Sequence, residues 1–260
     1  MAGAFIHPSA VVDPGARLGE SVVIGPLCYV GAGVEVGDGT ELVAQATLLG
    51  PCRLGANNRI YPHATLGAAP QDRSWEGEPT ELVVGDDNVF REGVTVNRGT
   101  TKGGGVTRVG SRCLVMAFAH VAHDCSLADH VTLTNQTSLG GHVAIGERAV
   151  VGGHVAIAPF VRVGELSFAA GGAMIERDVP PFVVVAGDRA RVRALNQVGL
   201  ERASVPEESR AGLERAFRML FRSKVPIAVA ARAVFSEYGN DPYVGRLLEF
   251  MRITPRHDPA

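Results

Sequence analysis

Two short segments concentrate the residue types that move protons: His120-Val121-Ala122-His123-Asp124 and Gly140-Gly141-His142. An imidazole titrates near neutrality and can take a proton from a hydroxyl in the transition state, a step typically worth about 10² to 10⁴ in rate. Asp124 follows His123 directly and is placed to fix its tautomer and stabilise the imidazolium. Gly141 carries no side chain, so its backbone N–H can approach a developing oxyanion, where one donor contributes on the order of 3 kcal/mol. Acyl transfer straight from a thioester would need these groups and no Ser or Cys nucleophile. Two other readings stay open: a zinc site formed by His120, His123 and His142, and a non-catalytic scaffold whose surface happens to carry histidines.

What positions these residues is a repeat of period six. Large aliphatic residues run Ile6, Val12, Leu18, Ile24, Val30 and onward to Leu66, resume at Val84, Phe90 and Val96, and run again from Val109 to Ile175. Six matches neither the period of a helix nor the simple alternation of a strand, but it suits short strands joined by corners at fixed intervals. Three hexads make one coil of 18 residues, so Val121 and Leu139 share a register and His123 and His142 fall near one corner on successive coils. A smaller apolar residue recurs four places after each aliphatic, and all four cysteines, Cys28, Cys52, Cys113 and Cys125, occupy it. They read as core residues, since free Cys behaves as a small hydrophobe. Gly often follows the aliphatic, as at Gly25, Gly37 and Gly55, which suggests corners with unusual backbone angles.

Two segments break the period. Ala68 to Thr80 contains the single Trp of the chain, and Thr100 to Thr107, with three consecutive glycines, reads as one extra residue over two hexads. A solenoid extrudes such residues onto its surface, often at its binding face. After Pro180 and Pro181 the hexads stop. Ser204-Val205-Pro206-Glu207 reads as a capping box opening a helix with Leu213, Ala216, Phe217, Leu220 and Phe221 on one stripe. Further helices are expected over 226–238 and 242–253, the latter capped by Asp241.

Composition narrows the function classes. A net charge of -2 with acidic and basic residues interspersed offers no basic stripe for a phosphate backbone, so nucleic acid is not an expected partner. No apolar run approaches the roughly 20 residues of a membrane span, and the first residues do not look like a secretory leader. The expectation is a cytoplasmic chain without a membrane span.

HVAHDC at 120–125, GGH at 140–142, QDRSWEGEPT at 71–80, NRGTTKGGG at 97–105, DVPPF at 178–182 and LNQVGLER at 195–202 resemble, in order and spacing, the signature segments of the UDP-N-acetylglucosamine O-acyltransferases that open lipid A synthesis. The resemblance spans nearly the whole chain. It implies a left-handed parallel β-helix of hexapeptide repeats over 1–182 and a small helical bundle over 183–260; the hand comes from the resemblance, not from the period. It implies transfer of a 3-hydroxyacyl chain from acyl carrier protein to the 3-position of a UDP-hexosamine, in a homotrimer with sites between subunits, with no cofactor and no metal. Carried over residue by residue, His123 would be the general base, Asp124 its partner and Gly141 the oxyanion donor. Asp72, His120 and His142 would hold the sugar or acyl chain, Asn196 and Arg202 would contact the nucleotide, and Gly171 would lie at the hydrocarbon ruler, leaving room for a longer chain. The chain departs from the family pattern at Ser74, Ala158, Pro159, Val198 and Ala203, where acyl donor or nucleotide would be held. Whether the acceptor is a hydroxyl or a 3-amino group stays open, because one imidazole serves either.

Overall fold

The computed structural model describes residues 3–253. Two- to four-residue strands stack into three parallel sheets, the first starting at Phe5–Ile6, the second at Val11–Val12 and the third at Arg17–Leu18. Through Met174–Ile175 the strands pair with those three places away, Phe5 with Val23 and His120 with Ser138, so a circuit without an insertion takes 18 residues. The result is the expected left-handed parallel β-helix. Its interior is the ladder of periodic side chains. Ile24, Leu42, Ile60, Phe90, Val115, Leu133 and Val151 are fully buried, as are the small residues Ala46, Ala64, Ala119 and Ala149 between them. Truncating one large rung to Ala should cost about 2–5 kcal/mol. All four cysteines are buried and free, and burial pushes the Cys52 and Cys125 thiols up to about 12, consistent with packing rather than reactivity.

The corners correct one expectation. Left-handed backbone occurs three residues after most of the aliphatics, mainly at non-glycine residues such as Leu27, Gln45, Phe118, Asp124, His142 and Phe160. The glycines directly after the aliphatics are needed for close approach instead. A Cβ at Gly25 would lie 2.0 Å from the carbonyl oxygen of Val43 on the next coil, and one at Gly37 would lie 2.5 Å from Gly55. The strained corner residues are held because each donates its N–H to the preceding coil, as Phe160 N does to the Gly141 carbonyl at 3.0 Å.

Both insertions leave the solenoid on the same edge, where the second sheet hands over to the third. The pairing offset rises from 18 to 30 between Thr65 and Thr95, and to 25 between Thr95 and His120. The second segment therefore extrudes a whole hexad plus one residue, more than the single extra residue its spacing suggested, and part of it folds as a short 3-10 turn, Thr101–Gly103.

At the C-terminal end, β structure outlasts the hexads. Val183–Ala186 still pairs with the first sheet and then runs antiparallel to Arg191–Leu195. Among the described residues four helices follow: α1 Gln197–Arg202, α2 Glu207–Phe221, α3 Ile227–Tyr238 and α4 Pro242–Ile253. The capping box does not form. Ser204 adopts left-handed backbone and closes α1 through its N–H to the Glu201 carbonyl, so α2 begins from Pro206 with no side-chain cap. Asp241 does cap α4, accepting the N–H groups of Tyr243 and Val244, both at 2.9 Å. Among the described residues no helix is long and apolar enough to cross a membrane.

Candidate active site

The edge between the second and third sheets carries two columns of residues. Two places after the aliphatic stand His123, Gly141 and Pro159 on successive coils, and three places after it stand Asp124, His142 and Phe160. The first column belongs to a position whose N–H has no ladder partner, and proline fills it repeatedly elsewhere, at Pro8, Pro14, Pro26 and Pro62. Gly141 keeps its N–H there, and among the described residues nothing accepts from it. Its missing side chain is also a steric requirement. A Cβ at Gly141 would lie 2.6 Å from Cε1 and 2.8 Å from Nε2 of His123, so the imidazole occupies the space above this glycine.

His123 Nδ1 lies 2.8 Å from Asp124 Oδ2, in line with an N–H donated to the carboxylate. The His123 and His142 rings meet edge to face with centroids 5.3 Å apart, and His142 Nε2 lies 3.6 Å from the same carboxylate oxygen. The Asp124 side chain is 1 % exposed, against 15 % for His123 and 22 % for His142. A buried carboxylate must be well bonded. Thr100 meets that need twice, its N–H donating to Oδ1 and its hydroxyl to Oδ2, each at 2.7 Å. The Asp124 N–H donates to the Thr107 hydroxyl at 2.8 Å, where neighbouring corners use a backbone carbonyl that the insertion has displaced.

His120 stands on the outer face of the second sheet, its Nδ1 2.8 Å from the Thr95 hydroxyl. Burial, and then the neighbouring His123, push its pKa below the ordinary histidine value. Asp72 lies in the first insertion, where the N–H and hydroxyl of Ser74, both at 2.9 Å, hold its carboxyl below the usual range, with smaller contributions from Lys102 and His123. Lys102 of the second insertion donates to the Ser74 hydroxyl at 2.7 Å, and the Arg98 guanidinium covers the Trp75 ring, so the two loops are tied together beside the dyad.

The remaining expected residues lie on the other edges. Gly171 is at the corner between the first and second sheets, near Gly153, and the exposed His154 shares that edge rather than standing near Ala158 and Pro159. Asn196 caps α1, accepting from Gly199 N at 3.1 Å and donating to the Leu166 carbonyl at 2.8 Å, at the corner between the third and first sheets. Arg202 is exposed on the last turn of α1. One chain therefore unites Asp72, His120, His123, Asp124, Gly141 and His142, and keeps Gly171, Asn196 and Arg202 away from them.

For a metal, the ligand atoms of His123, Asp124 and His142 lie within 4.8 Å of one another. This is not the trio the sequence suggested, because the His120 ring is engaged with Thr95. The Asp124 oxygens already accept from Thr100 and face His123, which leaves the carboxylate poorly disposed to bind an ion. Sequence reasoning missed Thr100, Thr107, Lys102 and Phe160. Phe160 left a signal in the register, standing 18 residues after His142, and the other three fall in the Thr100 to Thr107 interruption, which marks the segment but not their roles.

Comparison with known proteins places the chain as a whole. The family described as Udp N-acetylglucosamine O-acyltransferase, domain 2, matches residues 178–257, and the bacterial transferase hexapeptide family matches 3–38 and 15–50. An acyl-[acyl-carrier-protein]–UDP-N-acetylglucosamine O-acyltransferase of Anaeromyxobacter sp. is 46% identical over 251 residues, 96% of this chain and 98% of that protein. One of Halorhodospira halophila is 43% identical over 95% of each chain. The crystal structure of UDP-N-acetylglucosamine O-acyltransferase from Moraxella catarrhalis superposes with a TM-score of 0.93 at 33% identity, covering 96% of this chain and 98% of that one.

Proposed function

Because the chain belongs to the acyl-[acyl-carrier-protein]–UDP-N-acetylglucosamine O-acyltransferase family, we propose that it moves a 3-hydroxyacyl chain from acyl carrier protein to the 3-position of UDP-N-acetylglucosamine, as a step of lipid A biosynthesis, with His123 as general base. The observation that carries this reading is the His123–Asp124 pair at 2.8 Å, standing directly over Gly141. Asp124 accepts from Nδ1, which leaves Nε2 as the basic nitrogen. Nε2 takes the proton of the sugar hydroxyl as its oxygen attacks the thioester carbonyl. The Gly141 N–H stabilises the oxyanion of the tetrahedral intermediate. Collapse breaks the carbon–sulfur bond, and the imidazolium returns its proton to the departing carrier thiolate. In this reading Asp72, His120 and His142 hold the sugar or acyl chain.

The same proposal takes the assembly as a homotrimer with sites between subunits. This would bring Gly171, Asn196 and Arg202 of one chain toward the His123 edge of another, which accounts for their separation within a chain. Asn196 already uses both its amide groups within its own chain, so Arg202 is the stronger of the two nucleotide contacts in this account.

The deciding experiment incubates the protein with UDP-N-acetylglucosamine, or its 3-amino analogue, and a series of 3-hydroxyacyl carrier proteins. The proposal expects an ester on the first acceptor, abolished in His123→Ala. Amide formation on the analogue alone would replace the acceptor, and no transfer to either would end the proposal.

A further inference from the structure

The second insertion is fastened around Asp124. Thr100 stands at its start and Thr107 at its end, with 3 % and 0 % exposure, and both hydroxyls bond to this one residue. Gly103, within the loop, packs so closely on the carboxylate that a Cβ there would lie 2.1 Å from Asp124 Cγ. The contacts are divided between the two oxygens. Oδ1 takes the Thr100 N–H, while Oδ2 is shared between the Thr100 hydroxyl at 2.7 Å and His123 Nδ1 at 2.8 Å.

From this geometry we infer that Thr100 is a positioning residue: it fixes the rotation of the Asp124 carboxylate, and through it the ring orientation and Nδ1–H tautomer of His123. The inference rests on the proposed role of His123 as base. The physical argument is one of degrees of freedom. A carboxylate is roughly two-fold about its last torsion, and His123 alone cannot choose between its faces. A pair of donors from one residue, one to each oxygen, removes that freedom in the same way that an outer-shell partner orients a metal-bound histidine. Thr107 acts differently, since it bonds the backbone N–H of Asp124 and so holds the strained corner rather than the carboxylate. The hydroxyl of Thr100 also accepts from Gly103 N at 3.3 Å, which ties its own rotamer to the loop turn. The loop therefore serves the chemistry from behind the dyad as well as bordering the substrate.

The test uses the full chain with isotope-labelled histidine and three variants. Thr100→Val keeps the backbone donor and the β-branched shape but removes the hydroxyl. Thr100→Ser keeps the hydroxyl, and Thr100→Ala replaces the valine variant should that one fail to fold. The expected result is a fall in kcat of about 10- to 100-fold with KM little changed, together with loss of the dominant Nδ1–H tautomer of His123 by NMR at neutral pH. Serine is expected to restore both. Turnover within twofold of the parent in the hydroxyl-free variant would overturn the inference. So would a loss of turnover with the His123 tautomer unchanged, or one that serine does not rescue. The tautomer is read without substrate, so an inactive parent enzyme would defeat the proposed reaction while leaving the positioning role to be decided by NMR alone.

Discussion

The ring of Phe160 lies parallel to that of His142, with centroids 4.3 Å apart and planes 7° from coplanar, although Phe160 is 63% exposed. An exposed aromatic gains little from burial, so its contribution is to the histidine it stacks on. Such pairs contribute about 0.5–1.5 kcal/mol. Phe160→Ala should leave the melting temperature nearly unchanged and raise KM for the UDP-sugar by about 2- to 12-fold, the same energy expressed as affinity. Steady-state kinetics beside a melting curve checks both halves.

Gly141→Ala should act on His123 rather than on the fold. The new Cβ would meet the imidazole 2.6 Å from Cε1, and the ring is the side that can yield. Displacing it from the Asp124 carboxylate should reduce kcat by about 100-fold or more. The melting transition should stay close to that of the parent, since the clash lies on the outer edge of the solenoid. Gly25→Ala provides the contrast. Its Cβ would lie 2.0 Å from a backbone oxygen, and neither coil can move without opening the ladder, so that variant should fail to fold or melt far lower.

The fold was legible because its core repeats. One register placed the cysteines inside, stacked His123 over Gly141, and aligned Asp124, His142 and Phe160, all as consequences of an 18-residue circuit. The register did not reveal what lies outside it. Thr100 bonds to Asp124 across 24 residues, and that distance is set by an insertion whose path no period describes. The glycines after the aliphatics were visible, but their reason was not. Close approach between coils and left-handed backbone both select Gly, and only the three-dimensional path of the chain separates the two. Ser204 failed as a cap for a similar reason, because the same sequence signal lay at the end of an unrecognised helix.

The titration of His120 gives a stability prediction. Burial, then His123, lower its folded pKa below the ordinary 6.5, so the neutral ring is favoured in the native state. Above the unfolded value neither state binds the proton and there is no penalty. As pH falls below it, the unfolded chain takes up a proton that the folded chain resists, and stability declines until the folded value is reached. His120→Gln keeps a polar partner for Thr95 and removes the titration. Its melting temperature should fall less than the parent's between pH 7 and pH 5, roughly the range below the ordinary histidine value. Parallel pH profiles for the two proteins would refute this assignment.

Gly171 tests both the ruler and the assembly. A Cβ there would lie 3.4 Å from the Gly153 carbonyl oxygen, an ordinary contact, so larger side chains can be carried without harm to the coil. Gly171→Met should then leave folding intact and shift preference toward shorter acyl donors, with each misfitting methylene costing about 1–3 kcal/mol. Because Gly171 and His123 occupy different edges of one chain, the proposed site must combine them from two subunits. A trimer mixed from Gly171→Met and His123→Ala chains would contain interfaces where an intact His123 meets an intact Gly171. Each parent alone should be poor with the long donor, one for lack of room and the other for lack of a base. Co-refolding the two should restore long-chain transfer, whereas no restoration would mean that ruler and base act within a single chain and that the intersubunit site is wrong.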